Sequence, residues 1–354
     1  MIAGPGAGDD ALAEAIARFS KGTGWPVLAD ATSSLRGHEG LDPIAHFDAL
    51  LRAPSFADGH RPEAVLQLGA TPVSKSLRLW LEAHEPSVYL RVDPGGGFEP
   101  SRLASDTLRA EPVRLLGDLS ALLESPRQRS LEWSRAFVAA NERAHGLLQE
   151  ELACARALVS PVVALALARS LPDDGLLYAA NSLAVRDLDT CLRERAGQRV
   201  LCNRGANGIV GKVSSALGAA AAGQGPVALL CGDLAFLHDV GGLLAAHRLG
   251  LRLVCVVLND DGGGIFSHLP IAKQGQAVGF EALFRTPHGL ELGPAAELYG
   301  ARYERCESAE ALRIALKGAW ARSESTVIEV PIDPTRDLSF STRILDRLRA
   351  ALAA

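Results

Sequence analysis

The 354-residue sequence predicts an α/β protein built as two doubly wound parallel-sheet domains in tandem. Three observations carry that reading. Short apolar runs alternate with helically spaced apolar residues along the chain, the β-α-β order of a parallel sheet with helices on both faces. Two later runs, PVALLCGDL (226–234) and LRLVCVVLNDDGG (251–263), are almost continuously apolar, as in strands covered on both sides. A polar, charged stretch from Glu124 to Arg143, around SPRQRS, divides the two halves. The expected limits are a first domain over 1–127, a linker over 128–145 and a second domain over 146–354.

The elements follow in order. MIAG opens as a strand, and Ala11, Leu12, Ala15, Ile16 and Phe19 recur at helical spacing. Pro26–Asp30 reads as a strand, His46–Leu51 as a helix, Ala64–Ala70 as a strand, Ser74–Ala83 as a helix and Ser87–Pro94 as a strand. DPGGGFEPSR (93–102) is a loop by its proline and glycine content. Beyond the divide, Leu176–Ala180 is a strand, SLAVRDLDTCL (182–192) a helix and RVLCNRG (199–205) a strand entering a loop. Gly208–Ala222 reads as a small-residue helix. Ser308 caps a helix that buries Ala311, Leu312, Ala315, Leu316 and Ala319, and TVIEVPID (326–333) closes the sheet.

Composition narrows the function classes. With 48% hydrophobic and 22% charged residues the chain is globular, and a net charge of −5 gives no basic footprint for nucleic acid. The first basic residue is Arg18, so no charged leader precedes an apolar stretch, and no apolar run approaches the roughly 18 residues of a membrane span. A cytoplasmic protein is expected. Six cysteines occur without a C-x-x-C pair; Cys231 and Cys255 lie in apolar runs and read as buried, reduced thiols. Only Lys21, Lys75, Lys212, Lys273 and Lys317 are lysines, a bias without mechanistic content.

The sharpest chemical signal joins two strand ends. Gly232-Asp233 closes one apolar run and Asn259-Asp260-Asp261-Gly262-Gly263 closes the next. Both loops then emerge at the carboxyl edge of the sheet, where α/β folds bind ligands. A diphosphate needs a hard cation, and Mg²⁺ takes six oxygen ligands in octahedral array. Asp233 and Asp260 offer carboxylate oxygens, and Gly262 a main-chain carbonyl that glycine is free to turn toward the ion. The competing reading is plain turn chemistry, since Asp, Asn and Gly punctuate strand ends in any case.

The spacing resembles the thiamine-diphosphate motif, G-D-G followed about 25 to 30 residues later by N-N. Two departures stand out: Leu234 replaces the third glycine, and Asp260 replaces the usual metal-binding asparagine, adding a negative charge beside a diphosphate. NSLAVRDLD (181–189), NRGANGIVG (203–211), GDLAFLHD (232–239), NDDGGGIFSHLP (259–270), LADATSSLRG (28–37) and SKSLRLWL (74–81) narrow the likeness. Together they resemble the 2-succinyl-5-enolpyruvyl-6-hydroxy-3-cyclohexene-1-carboxylate synthase family of menaquinone biosynthesis, across essentially the whole chain. The resemblance implies a central Rossmann-like domain followed by a thiamine-diphosphate pyrophosphate-binding domain. It also implies thiamine diphosphate with Mg²⁺ or Mn²⁺, and decarboxylative addition of 2-oxoglutarate to isochorismate.

Both substrates are polyanions, which arginine forks suit. By resemblance Arg186 and Arg204 bind substrate carboxylates and Ser182 hydrogen-bonds substrate; surface arginines and a helix N-cap are the bland alternatives. Ile209 is expected to wedge between the cofactor rings, or else simply to begin the Gly208–Ala222 helix. Ile265, Phe266 and Leu269 are expected to form an apolar wall beside the thiazolium, with Leu234 and Gly263 completing the cofactor contacts; core packing is the alternative. Lys75 reads as a solvated helix lysine.

The glutamate that thiamine enzymes use to protonate the pyrimidine ring lies, in this family, on an amino-terminal domain, and no stretch here replaces it. The isolated chain is therefore expected to be inactive, to need a pyrimidine-binding domain from elsewhere, and to assemble as a homodimer or homotetramer. Three rivals stand beside this reading: another thiamine-diphosphate 2-oxo-acid enzyme, a non-catalytic fragment, and a nicotinamide oxidoreductase. The last fails on GPGAGDD, whose glycines at 4, 6 and 8 put Asp9 where the dinucleotide fingerprint needs glycine or alanine.

Overall fold

The computed structural model describes residues 1–6, 8–95, 99, 101–123, 128–204 and 208–353, and the side chains of all of these but 128 and 129. Parts of the 93–102 loop, of SPRQRS and of NRGANG lie outside the described residues. The chain divides into two compact units, neither continuous in sequence: Met1–Glu151 with Asp189–Val200 and Ile344–Ala354, and Leu152–Leu188 with Leu201–Arg343.

The first stretch of chain runs β1 (Ile2–Ala3), α1 (Asp10–Thr23), β2 (Leu28–Ala29), α2 (Phe47–Leu51), α3 (Pro54–Gly59), β3 (Ala64–Leu68), α4 (Lys75–His84), β4 (Val88–Val92), β5 (Asp106–Leu108), α5 (Pro112–Ala121) and α6 (Gln128–Ala153). Its strands form one sheet in the order β2-β1-β3-β4-β5, parallel at every described pairing. Apolar residues of α1, among them Leu12, Ile16 and Phe19, pack with Leu66, Leu68 and Val92 of the sheet and Leu116 of α5 in one core.

Sequence direction reverses between β1 and β3, the place where such sheets usually bind ligands. Here that crevice is stitched shut. Gly4 donates to Leu68 and Ala70 donates to Pro5, and a Cβ on Gly4 would lie 1.7 Å from the Ala70 carbonyl oxygen. Asp9 caps α1 by accepting from the Leu12 N–H at 2.7 Å, so a carboxylate occupies the helix end that a pyrophosphate would need. Gly4 and Gly8 serve close packing and Gly6 a left-handed turn (φ 80°), in keeping with the failed dinucleotide fingerprint.

Residues 128–145, expected as a linker, form part of the 26-residue helix α6. Its charged residues hid a buried stripe of Phe137, Ala144 and Leu148.

The chain continues through α7 (Ser160–Ser170), β6 (Leu176–Ala179), α8 (Leu183–Cys191), β7 (Arg199–Leu201), α9 (Lys212–Ala221), β8 (Val227–Gly232), α10 (Asp233–Leu237), α11 (Leu243–Leu249), β9 (Val254–Asn259), α12 (Gly293–Leu298), β10 (Arg302–Arg305), α13 (Ala309–Ala321), β11 (Thr326–Pro331) and α14 (Pro334–Ala353). The second sheet has the order β10-β11-β9-β8-β6-β7. Its described pairings are again all parallel, so the carboxyl ends of β6, β8, β9 and β11 share one edge. Strands β8 and β9 are buried along their length up to their last residue, as two-sided coverage requires. The predicted Gly208–Ala222 helix starts late, at Lys212, because Gly211 turns into the left-handed region (φ 81°) immediately before it. Ser308 caps α13 as expected, its Oγ accepting from the Ala311 N–H. Cys231 and Cys255 are buried with their sulfurs 3.9 Å apart, and the six cysteines are all free thiols.

Candidate functional site

The two loops singled out by the motif meet at the carboxyl edge of the second unit's sheet. Asp233 is the first residue of α10, directly after β8, and is almost wholly buried. Its Oδ1 accepts from the Leu234 N–H at 2.5 Å and its Oδ2 from the Gly262 N–H at 2.9 Å, which ties the β8 end to the β9 loop. Gly262 has φ 130°, and a Cβ there would lie 2.0 Å from the Arg285 carbonyl oxygen, so only glycine fits. Asp260 accepts from the Gly264 N–H at 3.2 Å. Asn259 points away and donates to Glu329 of β11, while its own side-chain oxygen accepts from the Asp261 N–H.

Both carboxyls are raised above their ordinary range. Burial lifts Asp233, opposed by the Gly262 and Leu234 N–H groups and by His288. Asp260 is pushed up to about 7, by burial first and then by the charge of Asp233, against the opposing pull of Arg285. A buried carboxylate, Asp233, and a half-buried one, Asp260, that repel one another form an oxygen-rich niche that a hard cation relieves. On that observation the residues fit a divalent ion bridging to a diphosphate, with Asp233, Asp260 and the Gly262 carbonyl as the protein's share. Among the described residues no group of three or more His, Cys, Asp and Glu side chains forms a metal cluster, so such an ion needs oxygens from the main chain and the ligand as well.

Two residues here escaped sequence reasoning. His288 presents Nε2 to Asp233 Oδ2 at 3.3 Å while its Nδ1 accepts from the Leu290 N–H at 2.9 Å. That network assigns the proton to Nε2, which therefore donates to Asp233. Asp261, in the left-handed region (φ 55°), holds the His288 loop by accepting from the His288 and Gly289 N–H groups. Arg285 ends a π-helical turn, Glu281–Arg285, and reaches Asp260. Neither signal was legible, because His288 and Asp233 are 55 positions apart and Arg285 and Asp260 are 25 apart, without a motif to link them.

The remaining candidates divide. Ile265 and Phe266 lie in a short 3-10 helix, Gly264–His268, both half-buried, with Phe266 edge-on to Phe284. Gly263 precedes it and donates to the Arg285 carbonyl at 2.6 Å. Leu269 is 40% exposed and Leu234 half-buried, so neither is core packing. Ile209 is 40% exposed in the turn ahead of α9 and does not begin a helix, which removes that bland alternative.

Asn181, at the end of β6, donates to the carbonyls of Asn203 and Gly208. Lys212 grips Asn203 from the start of α9, at 2.5 Å to its carbonyl and 2.7 Å to its side-chain oxygen. The turn carrying Ser182 and the loop carrying Arg204 are thereby tied together. Ser182 is left-handed (φ 69°), unlike the extended backbone of an N-cap, and its carbonyl accepts from Arg186 at 2.7 Å. Arg204 is exposed, as is Lys75. A cavity of about 850 Å³ between residues such as Trp25, Trp80 and Trp133 lies wholly within the first unit and includes none of these candidates.

Two family profiles account for most of the chain. Residues 2–179 match a profile described as the middle domain of thiamine pyrophosphate enzymes, and residues 188–330 match the thiamine pyrophosphate enzyme C-terminal TPP binding domain. The chain belongs to the thiamine pyrophosphate enzyme family.

Within this family of thiamine pyrophosphate enzymes, several similar curated proteins carry the name 2-succinyl-5-enolpyruvyl-6-hydroxy-3-cyclohexene-1-carboxylate synthase. The protein of Myxococcus xanthus is 39% identical over 356 residues, spanning 99% of this chain and 59% of that protein. Those of Sorangium cellulosum and Listeria innocua are 38% and 34% identical, spanning 98% and 97% of this chain and 58% and 59% of theirs. The chain thus spans less than two thirds of the length of the relatives it matches. The motif loops at 232–234 and 259–263 fall inside the region matched to the TPP binding domain. Among the described residues no helix is long and apolar enough to cross a membrane.

Proposed function

We propose that this chain anchors the diphosphate of thiamine diphosphate through a divalent cation, Mg²⁺ or Mn²⁺, held by Asp233, Asp260 and the Gly262 carbonyl. The observation that carries the reading is the pair of carboxylates, Asp233 buried and Asp260 half-buried, at adjacent parallel strand ends, joined by the Gly262 N–H on Asp233. When bound, thiamine diphosphate supplies an acidic carbon that adds to a 2-oxo group and a sink for the electron pair freed with carbon dioxide. By donating from Nε2, His288 orients Asp233 and opposes the upward pull of burial on its carboxyl. Ile265 and Phe266 exclude water from the reacting face, which favours loss of a carboxylate.

For the complete enzyme we infer the activity in the relatives' name, with 2-oxoglutarate and isochorismate as substrates. Arg186 and Arg204 then bind the substrate carboxylates and Ser182 orients the substrate, from two segments that Asn181 ties together. The pyrimidine-binding part and a homodimeric or homotetrameric assembly belong to the same proposal.

The test is calorimetric titration of thiamine diphosphate into the full chain, with and without Mg²⁺. Binding should require the cation and should weaken about 100-fold in Asp233→Asn, some 3 kcal/mol. Binding that ignores both the cation and the substitution would refute the site.

A further inference from the structure

Asp260 stands where the thiamine-diphosphate motif has a neutral asparagine, so the loops carry one more negative charge than a diphosphate site ordinarily presents. The fold answers that charge from within. Arg285 is buried, with its side chain 8% exposed, and its Nη2 donates to the Asp260 carbonyl at 2.6 Å. Its Nη1 stands 3.3 Å from Asp260 Oδ1, the same oxygen that accepts from the Gly264 N–H. Asp260 Oδ2 has no hydrogen-bond partner among the described residues and is the oxygen left for a cation. The Arg285 main chain is pinned as well, its carbonyl accepting from Gly263 at 2.6 Å. The π-helical turn that Arg285 ends adds an extra residue to the coil, a feature common at functional sites.

We propose that Arg285 is a built-in counter-cation for Asp260: the pair replaces a neutral asparagine, and Arg285 sets how tightly the two loops hold a divalent ion. A guanidinium presents a rigid fork of donors, so Arg285 holds the Asp260 carbonyl and carboxylate at once. By drawing on the Asp260 carboxylate it leaves that group a weaker ligand for an incoming cation, while fixing the loop that receives the ion. Arg285 is thus a positioning residue that acts through Asp260. This inference rests on the proposed cation site.

The experiment measures Mn²⁺ binding to the full chain by electron paramagnetic resonance, with the metal alone as probe. Arg285→Met keeps the apolar stem but removes the charge, and should tighten Mn²⁺ binding about tenfold. Arg285→Lys keeps the charge and should stay within about threefold of the unmodified chain. In an Asp260→Asn background, Arg285→Met should change the affinity less than about twofold, because the coupling runs through Asp260. Should Arg285→Met fail to fold, Arg285→Gln, which keeps a donor toward the Asp260 carbonyl, carries the same expectation. An unchanged or weakened affinity, or an equal gain in both backgrounds, overturns the role of Arg285 while leaving the cation site standing. Failure of the unmodified chain to bind Mn²⁺ overturns both.

Discussion

At the scale of single residues, the first unit buries more charge than it neutralises. Arg36 is wholly buried, paired with Asp189 at 2.6 Å, and donates besides to the carbonyls of Ala29 and Leu192. Glu194 shares the same pocket, 3.9 Å from Arg36 Nε, and neither of its carboxyl oxygens has a side-chain or main-chain partner from another residue among the described residues. Burial pushes its carboxyl up from 4.5 to about 7, with Arg36 pulling the other way. A carboxyl raised in the folded state binds protons that the unfolded chain releases, so its stabilising share is complete below about 4.5 and lost as pH rises through about 7. Glu194→Gln stays neutral throughout. The stability difference between this variant and the unmodified chain, read from urea unfolding midpoints, should therefore widen in the variant's favour between pH 4.5 and pH 7, by on the order of 3 kcal/mol. A difference that does not change with pH would show that Glu194 ionises as freely in the folded protein as in the unfolded chain.

At the scale of elements, the loop after β9 is where function concentrates, and its glycines are not equivalent. A Cβ on Gly264 would lie 1.7 Å from Asp260 Oδ2, the end of a side chain that can swing aside. A Cβ on Gly262 would meet the Arg285 carbonyl at 2.0 Å from a backbone at φ 130°, and neither can yield cheaply. Gly264→Ala should thus displace the Asp260 carboxylate and weaken cation-dependent thiamine diphosphate binding at least tenfold, with unfolding shifted by less than about 1 kcal/mol. Gly262→Ala should cost about 2 to 4 kcal/mol of stability, read from the same urea curves. Equal effects on both measures would show that the loop responds as one rigid piece.

The same elements explain what the sequence disclosed. Strands β3, β4, β8 and β9 were legible because buried parallel strands need apolar residues on both faces, and the loops after β8 and β9 were legible because Asp, Asn and Gly cluster at their ends. Helix α6 was not, since its many charged residues outweigh a narrow apolar stripe. Residues 264–285 were not either: 3-10 and π turns have no period to read, and Arg285 meets Asp260 only because that irregular path brings it back.

At the scale of the whole molecule, the chain order and the compact units disagree, and that disagreement has a consequence for where the protein can be cut. The first unit is completed by Asp189–Val200, which is separated from Met1–Glu151 by residues of the other unit. Asp189 in that returning piece is the partner of Arg36, the Thr190 carbonyl meets His46 Nδ1 at 3.0 Å, and Val200 offers its carbonyl to Ser34. Ile344–Ala354 adds a further tie, through the ion pair of Arg347 with Glu151. A fragment of residues 1–151 keeps the whole five-stranded sheet but leaves the buried Arg36 guanidinium without its carboxylate. Removing one member of a buried pair costs about 3 to 5 kcal/mol, a large share of the roughly 5 to 15 kcal/mol that holds a domain together. We therefore expect the 1–151 fragment to show helical far-ultraviolet circular dichroism with weak near-ultraviolet signal and no sharp urea transition. A peptide of residues 189–200 added in excess should restore cooperativity in part, by supplying the carboxylate and the two carbonyls together. A fragment that unfolds cooperatively at the midpoint of the full chain, without the peptide, would mean that the boundary near residue 127 expected from the linear sequence is also a boundary in folding.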